Sequence, residues 1–156
     1  MKKQLEKTWK RARDHARLPM QWDGGENAGF SAPGVRPWMR VHDGWEENNA
    51  QSQLSDSHPL LEFWKRLLKL RKEYKNLFVY GRYEVVETDD EELFVFIKEG
   101  GGMKSVTVVN MSGKWKVWEE ASSILGENTG LLIGNAQSLE YGVLSSWEGR
   151  VYANVK

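Results

Sequence analysis

The chain has 156 residues, room for one ordinary domain or a small domain with an appendage, and too few for a complete barrel enzyme. Lys plus Arg and Asp plus Glu each number 22, so overall charge selects neither acidic nor basic partners. Cysteine is absent, which excludes disulfides, thiolate zinc sites and thiol catalysis.

Residues 1–17 are locally basic, with Lys2, Lys3, Lys7, Lys10, Arg11, Arg13 and Arg17 against Glu6 and Asp14. No regular Lys/Arg stripe interleaved with aromatics continues beyond them, so the segment reads as a solvated arm and no nucleic-acid partner is expected. It lacks the apolar stretch of a signal peptide, and no apolar run approaches the roughly 20 residues of a membrane span. A cytoplasmic protein with no membrane contact is expected. Leu5, Trp9, Ala12 and Ala16 give residues 2–17 a thin helical face. Pro19 disfavours helical geometry at Leu18, so that helix should stop near Arg17.

From Met20 to about Gln53 the texture changes. Gly24-Gly25, Gly29, Pro33-Gly34, Pro37 and Gly44 punctuate a stretch rich in Asn, Asp and Trp. A loop of about thirty residues is uncommon in a compact domain unless it is functional or disordered. Trp22, Trp38 and Trp45 argue against disorder, so an ordered irregular excursion is expected. The chain's eight tryptophans can serve as core residues or as stacking platforms.

The spacing predicts a helix over Asp56–Tyr74. Asp56 or Ser57 can cap it, and Pro59 suits its first turn. Leu60, Phe63, Trp64, Leu67, Leu70 and Tyr74 form a wide apolar stripe flanked by Leu61 and Leu68, with Glu62, Lys65, Arg66, Lys69 and Glu73 opposite. Such a stripe needs a substantial partner surface. From residue 77 the period shifts toward two. "FVYGRYEVVE", "ELFVFIKE", "KSVTVVNMS", "KWKVW", "GLLIGN" and "RVYANVK" read as strands separated by "TDDEE" and "EGGGM". An antiparallel β-sandwich is expected there.

Chemistry-bearing patterns are few. Asp89, Asp90, Glu91 and Glu92 fall at a hairpin tip, where solvation prevents the raised pKa of a general acid. His15, His42 and His58 lack the i,i+4 spacing of a metal helix, and no glycine motif opens a helix to cradle a phosphate. No metal or cofactor is expected. "RDHARLPMQWD" is the exception: Arg13 and Arg17 flank Asp14 and His15, close to Trp22. Arginine forks can grip a carboxylate or vicinal hydroxyls, although a salt-bridge network at a helix end fits the same residues.

"RDHARLPMQWD" followed by "NAGFS", "PW", "NN", "Q" and "LLEFWKRLLKLRK" resembles the carboxy-terminal part of glycoside hydrolase family 13. The likeness is to its α-glucosidase branch of maltases, isomaltases and oligo-1,6-glucosidases. It is specific through residue 75 and architectural beyond. The resemblance implies an α+β chain made from the end of a (β/α)8 barrel followed by an antiparallel β-sandwich. Residues 1–75 would be the barrel remnant, with 11–53 the excursion after the eighth strand and Asp56–Tyr74 the last barrel helix. Residues 76–156 would be the C-terminal all-β domain.

Family members hydrolyse terminal α-linked glucose with a nucleophilic Asp, an acid/base Glu and a stabilising Asp, all carried upstream of the matched segment. None of those motifs occurs in this sequence, so the resemblance implies a truncated chain, inactive alone. Arg13 corresponds to the family arginine that contacts the terminal glucose, with Arg17 as the alternative. The implied partners are an α-glucoside oligosaccharide in the intact parent, and the missing barrel portion or a second copy against the exposed helix face. A non-catalytic carbohydrate-binding or interaction module is the alternative function.

Overall fold

A computed structural model describes residues 17–55, 60–126, 128–136 and 140–154. All but Arg17 of the helix expected over residues 2–17, and the caps at Asp56, Ser57 and Pro59, lie outside the described residues. The chain forms two compact units, Met1–Trp64 and Lys65–Lys156.

The first unit is loop-rich. Glu26–Gly29 makes a single 3₁₀-type turn, and α1 spans Ala50–Ser55. The helix α2, Leu60–Glu73, runs across the division between the units. It realises the expected apolar stripe, with Arg71 and Lys72 in its last turn favourable to the helix dipole. The stripe is only partly covered: Leu61, Phe63, Leu67 and Leu70 are half-buried, whereas Leu60, Trp64 and Leu68 are exposed.

A short helix α3, Lys75–Phe78, stands where a strand was expected to begin. The N–H groups of Leu77 and Phe78 bond the Tyr74 carbonyl, and those of Val79 and Tyr80 bond that of Lys75. These bonds keep the chain coiled while Leu77 becomes fully buried, and extension starts only at Arg82.

Five antiparallel strands follow in the order β1-β2-β3-β7-β5: β1 Arg82–Val86, β2 Leu93–Gly100, β3 Met103–Asn110, β7 Gly149–Ala153 and β5 Gly130–Gly134. The β2–β3 register closes at Gly100 opposite Met103, leaving Gly101 and Gly102 as a two-residue loop. Both are left-handed, at φ 63° and 75°, the geometry of a type I′ turn that side chains resist. A two-stranded ribbon, β4 (Lys116–Val117) with β6 (Val143–Leu144), and the helix α4 (Ala121–Leu125) accompany the sheet. Neither α4 nor β6 was expected from the sequence; each is too short for a periodic signal.

Alternation places Leu93, Val95, Val106, Val108 and Tyr152 in the core with Trp118, Ala121, Leu125 and Leu144. The α+β class and the antiparallel β domain hold, while the layer over the sheet is a narrow ribbon plus one helical turn. On the strands' opposite alternation, Tyr83 and Phe94 both approach Phe96, with ring centroids 5.2 and 5.6 Å away, and remain exposed.

Polar side chains bury beside this core. Arg150 and Glu148 are 2% and 1% exposed, and the Arg150 Nε–H donates to Glu148 Oε1 at 2.5 Å. Arg150 also donates to the Glu140 carbonyl at 2.6 Å, to the Tyr152 hydroxyl at 3.2 Å and to the Val143 carbonyl. Glu148 Oε2 accepts the Ser145 N–H and hydroxyl at 2.7 and 2.8 Å. Burial alone would push the Glu148 carboxyl up; the Arg150 and Ser145 donors outweigh it and hold it below 4.5.

Two outcomes are expected. Glu148→Ala leaves the Arg150 guanidinium buried without its counter-ion, and urea melts should show a loss of about 3–5 kcal/mol. A depressed carboxyl pKa means that the unfolded chain binds more protons in acid. The Glu148 contribution should therefore be complete above the ordinary 4.5 and disappear as pH falls through the lower folded value, a slope missing in Glu148→Gln.

Candidate functional site

The loop that carries most of the recognisable sequence is held by a dense set of hydrogen bonds. Asn27, Ala28 and Gly29 are left-handed in succession, at φ 57°, 54° and 64°. A run of this kind costs roughly 1–2 kcal/mol for each non-glycine residue and persists only where its surroundings impose it. Here the Ala28 carbonyl accepts the N–H groups of both Trp22 and Asp23, at 2.8 and 3.3 Å, and Ala28 is wholly buried. The Asn27 amide donates to the carbonyls of Val35 and Ala32 at 2.9 and 3.3 Å, and Glu26 Oε1 accepts the Gly34 N–H at 2.8 Å.

Asp23 closes the turn from the other side. Its Oδ1 accepts the Gly25 N–H at 2.8 Å, and the carboxylate lies against Gly29, where an added Cβ would sit 2.7 Å from Asp23 Cγ. The "QWD" and "NAG" segments are thus two halves of one turn. Trp45 Nε1 donates to the Gly25 carbonyl at 3.1 Å, which fastens the next stretch of loop to the same turn.

The far end is fixed by Asn49, 7% exposed. Its amide donates to the carbonyls of Trp45 and Glu46 at 2.8 and 3.1 Å. Its Oδ1 accepts the Ser52 N–H at 2.8 Å, while the Asn49 N–H donates to Ser52 Oγ at 3.2 Å. That reciprocal pair is a capping box for α1, and the Asn-x-x-Ser spacing was the sequence signal for this overlooked helix. Ala50 and Gln51 then donate to the carbonyls of Gln21 and Trp22, closing the loop on its own beginning.

The loop offers flat surface to solvent. Trp22 is 54% and Trp38 66% exposed, alongside Met20 and Phe30. Arg17 is exposed and forms no ion pair among the described residues, and Arg13 lies outside them, so the structure does not place these two arginines together. His42 is exposed; His15 and His58 lie outside the described residues.

Other concavities carry little chemistry. One of about 350 Å³ is lined by Asp89, Asp90, Glu91, Glu119 and Glu120. Asp90 and Glu92 of the hairpin tip clasp Lys116, with Nζ 2.8 Å from Asp90 Oδ2, so the tip is anchored as well as solvated. The Lys116 bond and the Glu92 N–H hold the Asp90 carboxyl below its usual range, the opposite of a general acid's requirement. A groove of about 250 Å³ lies between Arg66, Lys69, Leu70 and Glu73 of α2 and Leu132 and Ile133 of β5. Among the described residues no group of three or more His, Asp or Glu could hold a metal ion.

Comparison with known proteins bears on the same segment. Residues 1–81 match the family described as alpha amylase, catalytic domain. An α-glucosidase of Candida albicans is 43% identical over 142 residues, 90% of this chain and 24% of the relative. An oligo-1,6-glucosidase of Parageobacillus thermoglucosidasius is 35% identical over 153 residues, 95% of this chain and 27% of the relative. The crystal structure of Bacillus licheniformis trehalose-6-phosphate hydrolase superposes with a TM-score of 0.78 at 31% identity, covering 93% of this chain and 27% of that one. The chain therefore spans about a quarter of the length of these relatives.

Gly29→Ala should open the loop, because its Cβ strikes Asp23 and its φ disfavours a side chain. Tryptic cleavage after Arg40 is expected to accelerate about tenfold, with thermal melting of the sheet unit unchanged.

Proposed function

We propose that this chain, which belongs to the α-amylase catalytic-domain family, is the C-terminal portion of an α-glucosidase. Residues 1–75 are the end of the catalytic barrel and residues 76–156 its C-terminal domain. The parent hydrolyses terminal α-linked glucose from maltose- or isomaltose-type oligosaccharides with retention. One observation carries this assignment: α-glucosidases and an oligo-1,6-glucosidase align with 90–95% of the chain at 35–43% identity.

Retaining hydrolysis needs a nucleophilic carboxylate and an acid/base carboxyl about 5–5.5 Å apart on opposite sides of the scissile bond. Those carboxylates belong to barrel strands upstream of the matched segment, and the tip cluster at Asp89–Glu92 is anchored to Lys116 instead. The chain alone is accordingly a non-catalyst. Its contribution to the parent is one wall of the sugar pocket, built on a loop whose turns are set by side-chain hydrogen bonds. A set geometry of this kind supplies orientation in the assembled parent.

Within that wall Arg13 contacts the terminal glucose, its planar donor fork matching vicinal hydroxyls or a carboxylate partner. Arg17 is the alternative contact and otherwise has a structural role. The exposed indoles of Trp22, Trp38, Trp115 and Trp147 favour a second reading in parallel, that the chain also binds carbohydrate without transforming it.

The test joins this chain to the N-terminal three quarters of the Candida albicans α-glucosidase. The hybrid should hydrolyse an aryl α-glucoside, and Arg13→Ala should lower kcat/KM about 10–100-fold, with Arg17→Ala costing less. Turnover by the chain alone, abolished by a point substitution within it, would overturn the assignment.

A further inference from the structure

The turn between β6 and β7 holds a residue that its backbone does not favour. Ser145–Glu148 closes through the Glu148 N–H on the Ser145 carbonyl at 3.2 Å. Trp147, its third residue, is left-handed at φ 57°, while Ser146 is not. A left-handed third position alone is the type II pattern, where glycine or asparagine belongs. A bulky aromatic there is strained, and burial does not offset it, since the Trp147 side chain is 63% exposed.

The surroundings impose the conformation from both sides. The Trp147 N–H donates to the Ser112 carbonyl at 2.9 Å, and the Trp147 carbonyl accepts the Asn135 amide at 3.0 Å. Asn135 Oδ1 accepts the next free N–H, that of Gly149, at 2.8 Å. The flanking Ser145 and Glu148 belong to the buried Arg150 network, and Ser112 is itself held by Asn110 Oδ1 at 2.8 Å. The indole edge lies beside Gly113, where an added Cβ would meet Trp147 Nε1 in ordinary contact at 3.7 Å. The same turn that receives the Trp147 N–H carries Trp115, 69% exposed. The fold thus maintains a strained backbone to present an indole that its core does not use.

We propose that Trp147, supported by Trp115 on the adjoining turn, is a carbohydrate platform on the β unit that stacks the pyranose rings of α-linked gluco-oligosaccharides. The ligand class rests on the glycosidase reading above. The two indoles make no ring contact with each other among the described residues, so each offers a flat face of its own. Pyranose rings match that arrangement: each presents an apolar C–H face and a rim of hydroxyls. The exposed Lys114 and Ser146 stand next to the indoles in sequence to meet that rim.

The full chain is titrated with maltoheptaose while tryptophan fluorescence and melting temperature are followed, comparing wild type, Trp147→Gly and, at an exposed aromatic outside the proposed platform, Tyr80→Ala. Wild type and Tyr80→Ala should show the same saturable change. In Trp147→Gly, affinity should fall at least ~10-fold, while relief of the strain raises Tm by about 2–4 °C. A lowered Tm would mean that Trp147 is a packing residue and would overturn the proposal. So would unchanged binding in Trp147→Gly, equal binding of a β-linked cello-oligosaccharide, or a dimer that Trp147→Gly dissolves in sedimentation. Absence of binding in every chain would remove the platform and leave the glycosidase assignment intact, because hybrid turnover tests that separately.

Discussion

The sheet unit depends on the buried pairing of Arg150 with Glu148. Both charges sit on a two-residue spacing at the start of β7, and leaving water costs each of them several kcal/mol. The cost is offset only because nearly every polar atom finds a partner: Arg150 reaches Glu140, Val143 and Tyr152, and Glu148 reaches Ser145. Asn110, wholly buried at the end of β3, adds bonds to the Lys114 and Ser145 carbonyls at 2.7 Å each. One network therefore joins β3, the 111–114 turn, the β6–β7 turn and β7. A one-residue slip of β7 would break all of it, so the network sets register more than it adds net stability. It also fixes the turn on which Trp147 stands.

Among its described residues, the first unit meets the same difficulty without a comparable apolar core. Its order comes from side chains that satisfy backbone groups: Asp23 and Asn27 around the left-handed turn, and Asn49 at the start of α1. That solution suits a loop that must hold a fixed shape while leaving tryptophans uncovered. It agrees with a wall of a sugar pocket, where preorganised geometry matters more than burial.

Legibility in the sequence followed the length and periodicity of each element. The helix α2 is readable because six apolar residues recur at helical spacing, and β2 and β3 because each is rich in β-branched or aromatic residues and bounded by turn signals. The short helix α3 overlaps the expected strand only at Phe78, because "FVY" is apolar and too brief to show a period; the chain stays coiled there as Leu77 is buried. The ribbon strand β6 and helix α4 are fixed by tertiary contact alone. In "SSWEGRVY" nothing announces that Glu148 and Arg150 are buried, because a charged pair beside a turn ordinarily stays in solvent. Of the candidate site, the loop's importance was legible through family resemblance, whereas its left-handed turn depends on hydrogen bonds between residues several positions apart. The strain at Trp147 had no sequence signal beyond a tryptophan standing where a turn residue was due.

The central claim is that the chain joins a self-sufficient sheet to a helix and loop that bury little of their own surface. None of the α2 residues is buried, whereas β3 alone contributes Ser105, Val106, Val108 and Asn110 to the interior. Amide hydrogen exchange resolved along the whole chain tests this most directly. The amides of β2, β3 and β7 should exchange only through global unfolding, with those of α2 and residues 17–55 opening locally and orders of magnitude faster. Uniform protection from Arg17 to Asn154 would contradict the claim.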